Sequence, residues 1–174
     1  MVEMIVSRLG MDPTSQSYVV VLQEKDGARL LPIWIGQPEA ESIVMQMHQM
    51  KRARPLTHDL CKTIITALGA TLRRIQITRV ENNTYFGELQ LVRDGQFVQI
   101  DSRPSDAIAI ALRLAAPIFA AEALLSREDD DEDTPDVFAS PDVSVSGEGT
   151  ELTAEQLKQY LEHLRPEDFG KFNP

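Results

Sequence analysis

Hydrophobic and polar positions alternate in two blocks of short runs, and each block leads into a helix-period segment. Met1–Leu9, Tyr18–Gln23 and Arg29–Ile35 read as strands separated by the turn clusters Met11-Asp-Pro-Thr-Ser and Lys25-Asp26-Gly27, a meander of three. After Gly36, Pro38 opens a helix with Glu39 and Glu41 in its first turn. Ala40, Ile43, Val44, Met47 and Met50 fall on one face of it, and Met45 falls off that face, so the helix is expected to be covered on two sides. A loop with Pro55 leads to a second helix. Thr57 is its expected N-cap, Leu60, Ile64 and Leu68 are its expected inward stripe, and Gly69 is its stop.

The second block is a further group of three strands, at most a faint duplication of the first. Leu72–Val80, Thr84–Arg93 and Gln96–Ser102 read as strands, with turns at Glu81-Asn-Asn and Asp94-Gly95. Leu72 has one parity and Ile75 and Ile77 the other, which predicts a bulge near Arg73-Arg74. A third helix runs from about Pro104 to Ala115. Pro117 stops it, and Ile118–Ala120 reads as a short edge strand. The expected fold is α+β: a mostly antiparallel sheet with three principal helices over residues 1–126. An acidic linker follows at 127–149, and residues 150–174 are expected to hold a docking helix. Its stripe is Leu157, Tyr160, Leu161 and Leu164, behind the capping-box pattern Thr153-Ala-Glu-Gln156.

Charge changes the picture only when it is divided. The 174 residues carry 27 acids and 17 bases, and 14 of those acids and 4 of those bases lie in residues 127–174, leaving 13 of each in residues 1–126. The whole excess of −10 therefore belongs to the tail. Within the neutral part, residues 51–80 hold Lys51, Arg52, Arg54, Lys62, Arg73, Arg74 and Arg79 against Asp59 alone, a local surface suited to phosphate. An acidic tail occupying that surface would be autoinhibitory. Deleting residues 127–174 is then expected to raise nucleic-acid affinity at low salt, and unchanged affinity would remove the idea. The N-terminus lacks a basic start and a small-residue cleavage site, and no run is long enough to span a bilayer, so a cytoplasmic location away from membranes is expected. Cys61 is alone, which excludes an intramolecular disulfide.

Three polar clusters sit at junctions between elements: Leu31-Pro-Ile-Trp34-Ile-Gly36-Gln-Pro-Glu39-Ala-Glu41, Arg52-Ala-Arg54-Pro-Leu-Thr57-His58-Asp59-Leu60, and Asp101-Ser-Arg103-Pro-Ser-Asp106-Ala-Ile-Ala-Ile-Ala-Leu-Arg113. Phosphodiester hydrolysis needs neutralised phosphate oxygens, an activated nucleophile and a stabilised leaving group. Carboxylates can supply this by holding a divalent metal, with histidine or arginine assisting. Asp101 and Asp106 are the candidate ligands for Mg or Mn. His58, Asp59, Asp101, Arg103 and Asp106 are the candidate catalytic set, with Glu39 and Glu41 as further carboxylates at motif positions. Arg52, Arg54, Arg73 and Arg74 would hold a nucleic-acid backbone, and Arg54 and Arg103 could clamp one phosphate. The alternative is structural: Asp101 caps the third helix and pairs with Arg103, Asp106 complements the helix dipole, and Asp59 ties Arg54 and its loop. No Gly-rich phosphate loop, Gly-x-Ser-x-Gly elbow or dinucleotide fingerprint is present.

The three clusters, in this order, resemble the bifunctional nuclease domain family over the chain up to about Leu125. The resemblance implies a nuclease acting on DNA or RNA. The alternative from the residues is a non-enzymatic oligomeric or regulatory module that binds an anionic ligand or a protein. Apolar faces on several elements predict a homo-oligomer, a dimer first.

Overall fold

The computed structural model describes residues 1–12, 17–50 and 52–126. In chain order these form β1 (Val2–Asp12), β2 (Ser17–Glu24), β3 (Leu30–Ile35), α1 (Gln37–Met47), α2 (Thr57–Ala67), β4 (Thr71–Glu81), β5 (Thr84–Arg93), β6 (Gln96–Ser102), α3 (Pro104–Leu114) and β7 (Ile118–Ala120), then a 3₁₀ turn at Glu122–Leu124. The acidic linker and the docking helix expected after residue 126 lie outside the described residues. No described helix is long and apolar enough to cross a membrane.

The fold is α+β, as expected. Seven strands form one sheet in the order β3-β2-β1-β7-β4-β5-β6. Each predicted meander is present and antiparallel. The predicted bulge lies between Leu72 and Arg74, and a second lies between Ile77 and Arg79. Asp94 and Gly95 turn the β5–β6 hairpin with φ of 50° and 77°, the left-handed geometry that an Asp-Gly pair accommodates.

β7 corrects the sequence reading. It is the strand that joins the two meanders, antiparallel to β1 and parallel to β4, and not an edge. Its three residues gave no length signal, but its backbone is bonded on both sides. The Pro117 carbonyl, which needs no N–H, accepts from Ile75 N–H at 3.1 Å, and Ala121 N–H donates to Ile77 O at 2.8 Å. Because β7 opposes β1 and follows β4, the two meanders run in opposite senses. Each is followed by a helix with proline in its first turn.

The core lies on the helix face of the sheet. Met4, Val20, Leu22, Leu31 and Ile33 come from the first meander, and Ile75, Ile77, Leu89 and Leu91 from the second. Ile43 of α1 and Ala107–Ala111 of α3 cover them. Alternating alanine and isoleucine let α3 approach both the sheet and its neighbouring helices, and each fully buried Ile contributes roughly 1.5–3 kcal/mol. Ser42 and Met45 are buried together with Ala40 and Ile43, so α1 is covered on two sides.

α2 is rotated from the expectation. Leu60, Ile64 and Leu68 point outward, 52%, 48% and 57% exposed, while Cys61 and Ile65 pack on the core. Thr57 is the first helical residue and Leu56 the cap. The polar neighbours decide the rotation: His58 and Asp59 both bond inward, and that leaves the better apolar stripe in solvent.

The other face of the second meander carries a polar ladder. Arg74 Nε donates to Gln90 Oε1 at 2.7 Å, Gln90 Nε2 donates to Gln76 Oε1 at 2.6 Å and to Glu88 Oε1 at 2.8 Å, and Gln99 donates to Glu88. Arg74 also lies 5.5 Å from the centre of the Phe119 ring.

Candidate active site at the helix starts

Three helices begin close together, and their first turns hold the polar cluster. Asp106 is the third residue of α3, where the helix dipole favours a carboxylate. Its Oδ2 accepts from Arg103 Nε at 2.8 Å, and its Oδ1 accepts from Arg103 Nη2 at 3.2 Å. The same Nη2 donates to Glu39 Oε1 at 2.7 Å. Glu39 stands third in α1 as Asp106 does in α3, so Arg103 bridges equivalent carboxylates of the two helices. The Arg103 side chain is 66% exposed, whereas Glu39 is 14% exposed. A charged fork thus faces solvent on a half-buried acidic base.

His58, from the first turn of α2, closes the cluster. One ring nitrogen, Nε2, lies 3.0 Å from Asp106 Oδ1, and the other, Nδ1, lies 2.8 Å from Ser42 Oγ of α1. An ionised carboxylate only accepts, so Nε2 carries the proton given to Asp106. A hydroxyl both donates and accepts, so Ser42 can donate to Nδ1 of the neutral ring or accept from the charged one. His58 can therefore gain or lose a proton without losing a partner.

Burial pushes the Asp106 carboxyl up, but the hydrogen bonds from Arg103 and His58 together outweigh it and hold the group below the usual carboxylate range. The same holds for Asp59, where burial is opposed by Arg113 and by the Leu56 N–H. The Arg103 guanidinium is raised, chiefly by its bond to Asp106 and then by Glu39. For both carboxylates the folded-state pKa lies below the unfolded value of about 3.9. The stability they add is complete above that value and is lost as pH falls through the folded pKa. Thermal melts are expected to hold level near neutrality and fall below about pH 4, and Asp106→Asn or Asp59→Asn should each flatten that acid limb.

Asp59 belongs to a separate clamp. Its Oδ1 accepts from Arg113 Nε at 2.6 Å, and its Oδ2 accepts from Leu56 N–H at 2.9 Å. Arg113 also donates through Nη1 to Ala109 O at 3.0 Å. Both Asp59 oxygens are engaged in tying α2 to α3, and its predicted partner Arg54 is not among those bonds.

Asp101 does not join the site. It pairs with Glu88 across the sheet and shares parity with Gln99, which puts it on the polar ladder face, away from α3. It neither caps α3 nor pairs with Arg103. The expected Asp101–Asp106 metal pair does not fit this arrangement: the sheet separates the two carboxylates, and Arg103 donates to both Asp106 oxygens. Among the described residues no group of three or more His, Cys, Asp or Glu is arranged to hold a metal ion.

The expected basic surface is divided too. Arg74 is on the ladder face, and Arg73 is exposed at the bulge. Arg52 and Arg54 are exposed in the α1–α2 connection, where Arg52 reaches Met45 Sδ at 3.7 Å.

Sequence reasoning missed Ser42 and Arg113. Each left a trace: a serine among buried positions of an amphipathic helix, and an arginine inside an otherwise apolar helix end.

One glycine sets the position of the site. A Cβ at Gly87 would stand 3.2 Å from both Pro104 Cα and Ser102 O, so backbone would have to move. Gly87→Ala is expected to displace the start of α3 and cost about 1–3 kcal/mol, read by urea denaturation.

The bifunctional nuclease domain model matches residues 20–132, which include all three polar clusters. The chain belongs to the bifunctional nuclease domain family. An uncharacterized protein of Mycobacterium tuberculosis is 36% identical over 154 residues, 87% of each chain. Bifunctional nuclease 2 of Arabidopsis thaliana is 34% identical over 103 residues, 57% of this chain and 31% of that protein. Bifunctional nuclease 1 of Oryza sativa subsp. japonica is 29% identical over 105 residues, 58% of this chain and 32% of that protein. The likeness to the plant proteins is thus confined to about a third of their length, the part corresponding to this domain.

Proposed function

We propose that this bifunctional nuclease domain hydrolyses phosphodiester bonds of DNA or RNA at the junction of the starts of α1, α2 and α3. The observation that carries the reading is the exposed Arg103, held by Glu39 and by an Asp106 that also bonds His58. The guanidinium fork suits two phosphate oxygens, and an arriving phosphate competes with the carboxylates for it. As Arg103 turns to the phosphate, Asp106 loses its cation and its proton affinity rises. Asp106, still held by His58, can then take a proton from the attacking water as the new P–O bond forms, while the P–O bond to the leaving oxygen breaks and that oxygen takes a proton from solvent. His58 stabilises the pair, and Ser42 keeps the ring oriented in either charge state. Arg52 and Arg54 extend the cationic surface along the backbone. The names of the plant relatives support the reaction class.

The test is cleavage by purified protein of single-stranded DNA, duplex DNA and RNA, with and without added Mg²⁺ or Mn²⁺, read on denaturing gels. Turnover that co-purifies with the protein and is lost in Arg103→Ala supports the proposal. Turnover unchanged by Arg103→Ala contradicts it.

One observation favours a second reading, a non-enzymatic module that binds an anionic ligand or a protein. Both nitrogens of His58 already have partners, and its side chain is only 12% exposed. That reading predicts saturable oligonucleotide binding without cleavage on any of these substrates.

A further inference from the structure

We propose that β6 is a self-association edge, at which a second copy of this chain pairs antiparallel with the two-fold axis at Gln99. The two edges of the sheet are treated differently. β3 is six residues long, carries Pro32 in its middle, and has Leu30 bridged to Ser126. Proline and a covering segment are the usual ways to block an edge. β6 has neither. It pairs with β5 over seven positions with no register shift, contains no proline or lysine, and is exposed at every residue from Gln96 to Asp101. Its large apolar side chains are in solvent: Phe97 83%, Val98 43% and Ile100 44% exposed. A regular, open, apolar strand is a template for another strand.

The sequence of β6 suits a copy of itself. With the axis at Gln99, Val98 faces the partner's Ile100 and Ile100 faces the partner's Val98, both on the helix face. Gln99 faces the partner's Gln99 on the other face, amide to amide. The one charged residue, Asp101, falls opposite the partner's Phe97, so the two carboxylates lie about 13 Å apart along the strands. That distance exceeds the screening length of about 10 Å in ordinary salt. Moving the axis by one residue breaks the Val–Ile matches. A two-strand edge buries less than the roughly 800 Å² per partner of a stable interface, so the association should depend on concentration.

Sedimentation of the full chain over a range of concentrations tests this. The expected result is a monomer–dimer equilibrium that Val98→Lys/Ile100→Lys shifts to monomer. The melting temperature should be preserved, because both side chains are already half exposed. In the Gln99→Cys variant, oxidation should give a covalent dimer faster than in the wild type, which has Cys61 alone, or in Arg93→Cys. Three outcomes overturn the proposal. One is a dimer that survives the lysine pair but is lost in Leu60→Lys/Ile64→Lys, which would place the contact on α2. Another is a monomer at all concentrations with β6 amides protected from exchange, which would mean another segment covers the edge. The third is cross-linking at residue 99 no faster than at residue 93.

Discussion

Asp106→Asn is expected to lower cleavage by ~10²–10⁴-fold, the range lost when a positioned acid–base group is removed. Asp106 is the residue that touches both His58 and Arg103. An asparagine offers one acceptor and one donor in place of two acceptors. Its amide must then face either an N–H of Arg103, donor against donor, or Nε2 of His58, which has to move its proton to Nδ1 and donate to Ser42 instead. Either way the carboxylate that takes the proton is gone and the guanidinium loses its counter-charge. His58→Asn should give a similar loss. The double variant should be no worse than either single one, because the two act as a unit. Asp101→Asn should leave the rate unchanged, since that carboxylate projects from the opposite face of the sheet. Initial rates with saturating oligonucleotide, beside thermal melts, separate lost chemistry from lost fold.

Asp59→Ala is expected to cost about 3–5 kcal/mol, the typical penalty for leaving a buried charge without its partner. The Arg113 side chain is 3% exposed, and without Asp59 it keeps only the Ala109 carbonyl. Against a net stability of roughly 5–15 kcal/mol, that removes a large share. The two partners are not equivalent. Arg113→Met takes the buried charge away and fills the space, while Asp59, 37% exposed, returns to water and still accepts from Leu56 N–H. That variant should lose about 1 kcal/mol or less. Urea denaturation of both gives the order, and a larger loss for Arg113→Met would contradict the clamp.

The strands and turns were largely legible in the sequence because period-two alternation, Asp-Gly and the parity break at Arg73 are local signals. The span of β7, Ile118–Ala120 after Pro117, was legible too, but its place was not, because that depends on backbone partners from β1 and β4. The face of α2 was misread for a related reason. Leu60, Ile64 and Leu68 make a better apolar stripe than Cys61 and Ile65, but His58 and Asp59 find Asp106, Ser42 and Arg113 on the other side. In the site, His58, Arg103 and Asp106 were recognisable as residue types at a helix junction, and the fold brings them together. Asp101 and Asp59 were grouped with them by proximity in sequence, which strand alternation and helical rotation undo. Ser42 could not be chosen from its type alone. Its role depends on α1 lying beside the start of α2.

In the proposed function, the cluster at Arg103, Asp106 and His58 receives phosphate. The most direct measurement is an NMR titration of the isotope-labelled full chain with a nuclease-resistant phosphorothioate oligonucleotide, without divalent metal, following the Arg103 Nε–H and the His58 ring. Saturable shifts are expected at both groups, weakening as salt is raised and absent in Arg103→Ala. Shifts confined to Arg73 and Arg74, with Arg103 and His58 unmoved, would contradict that function.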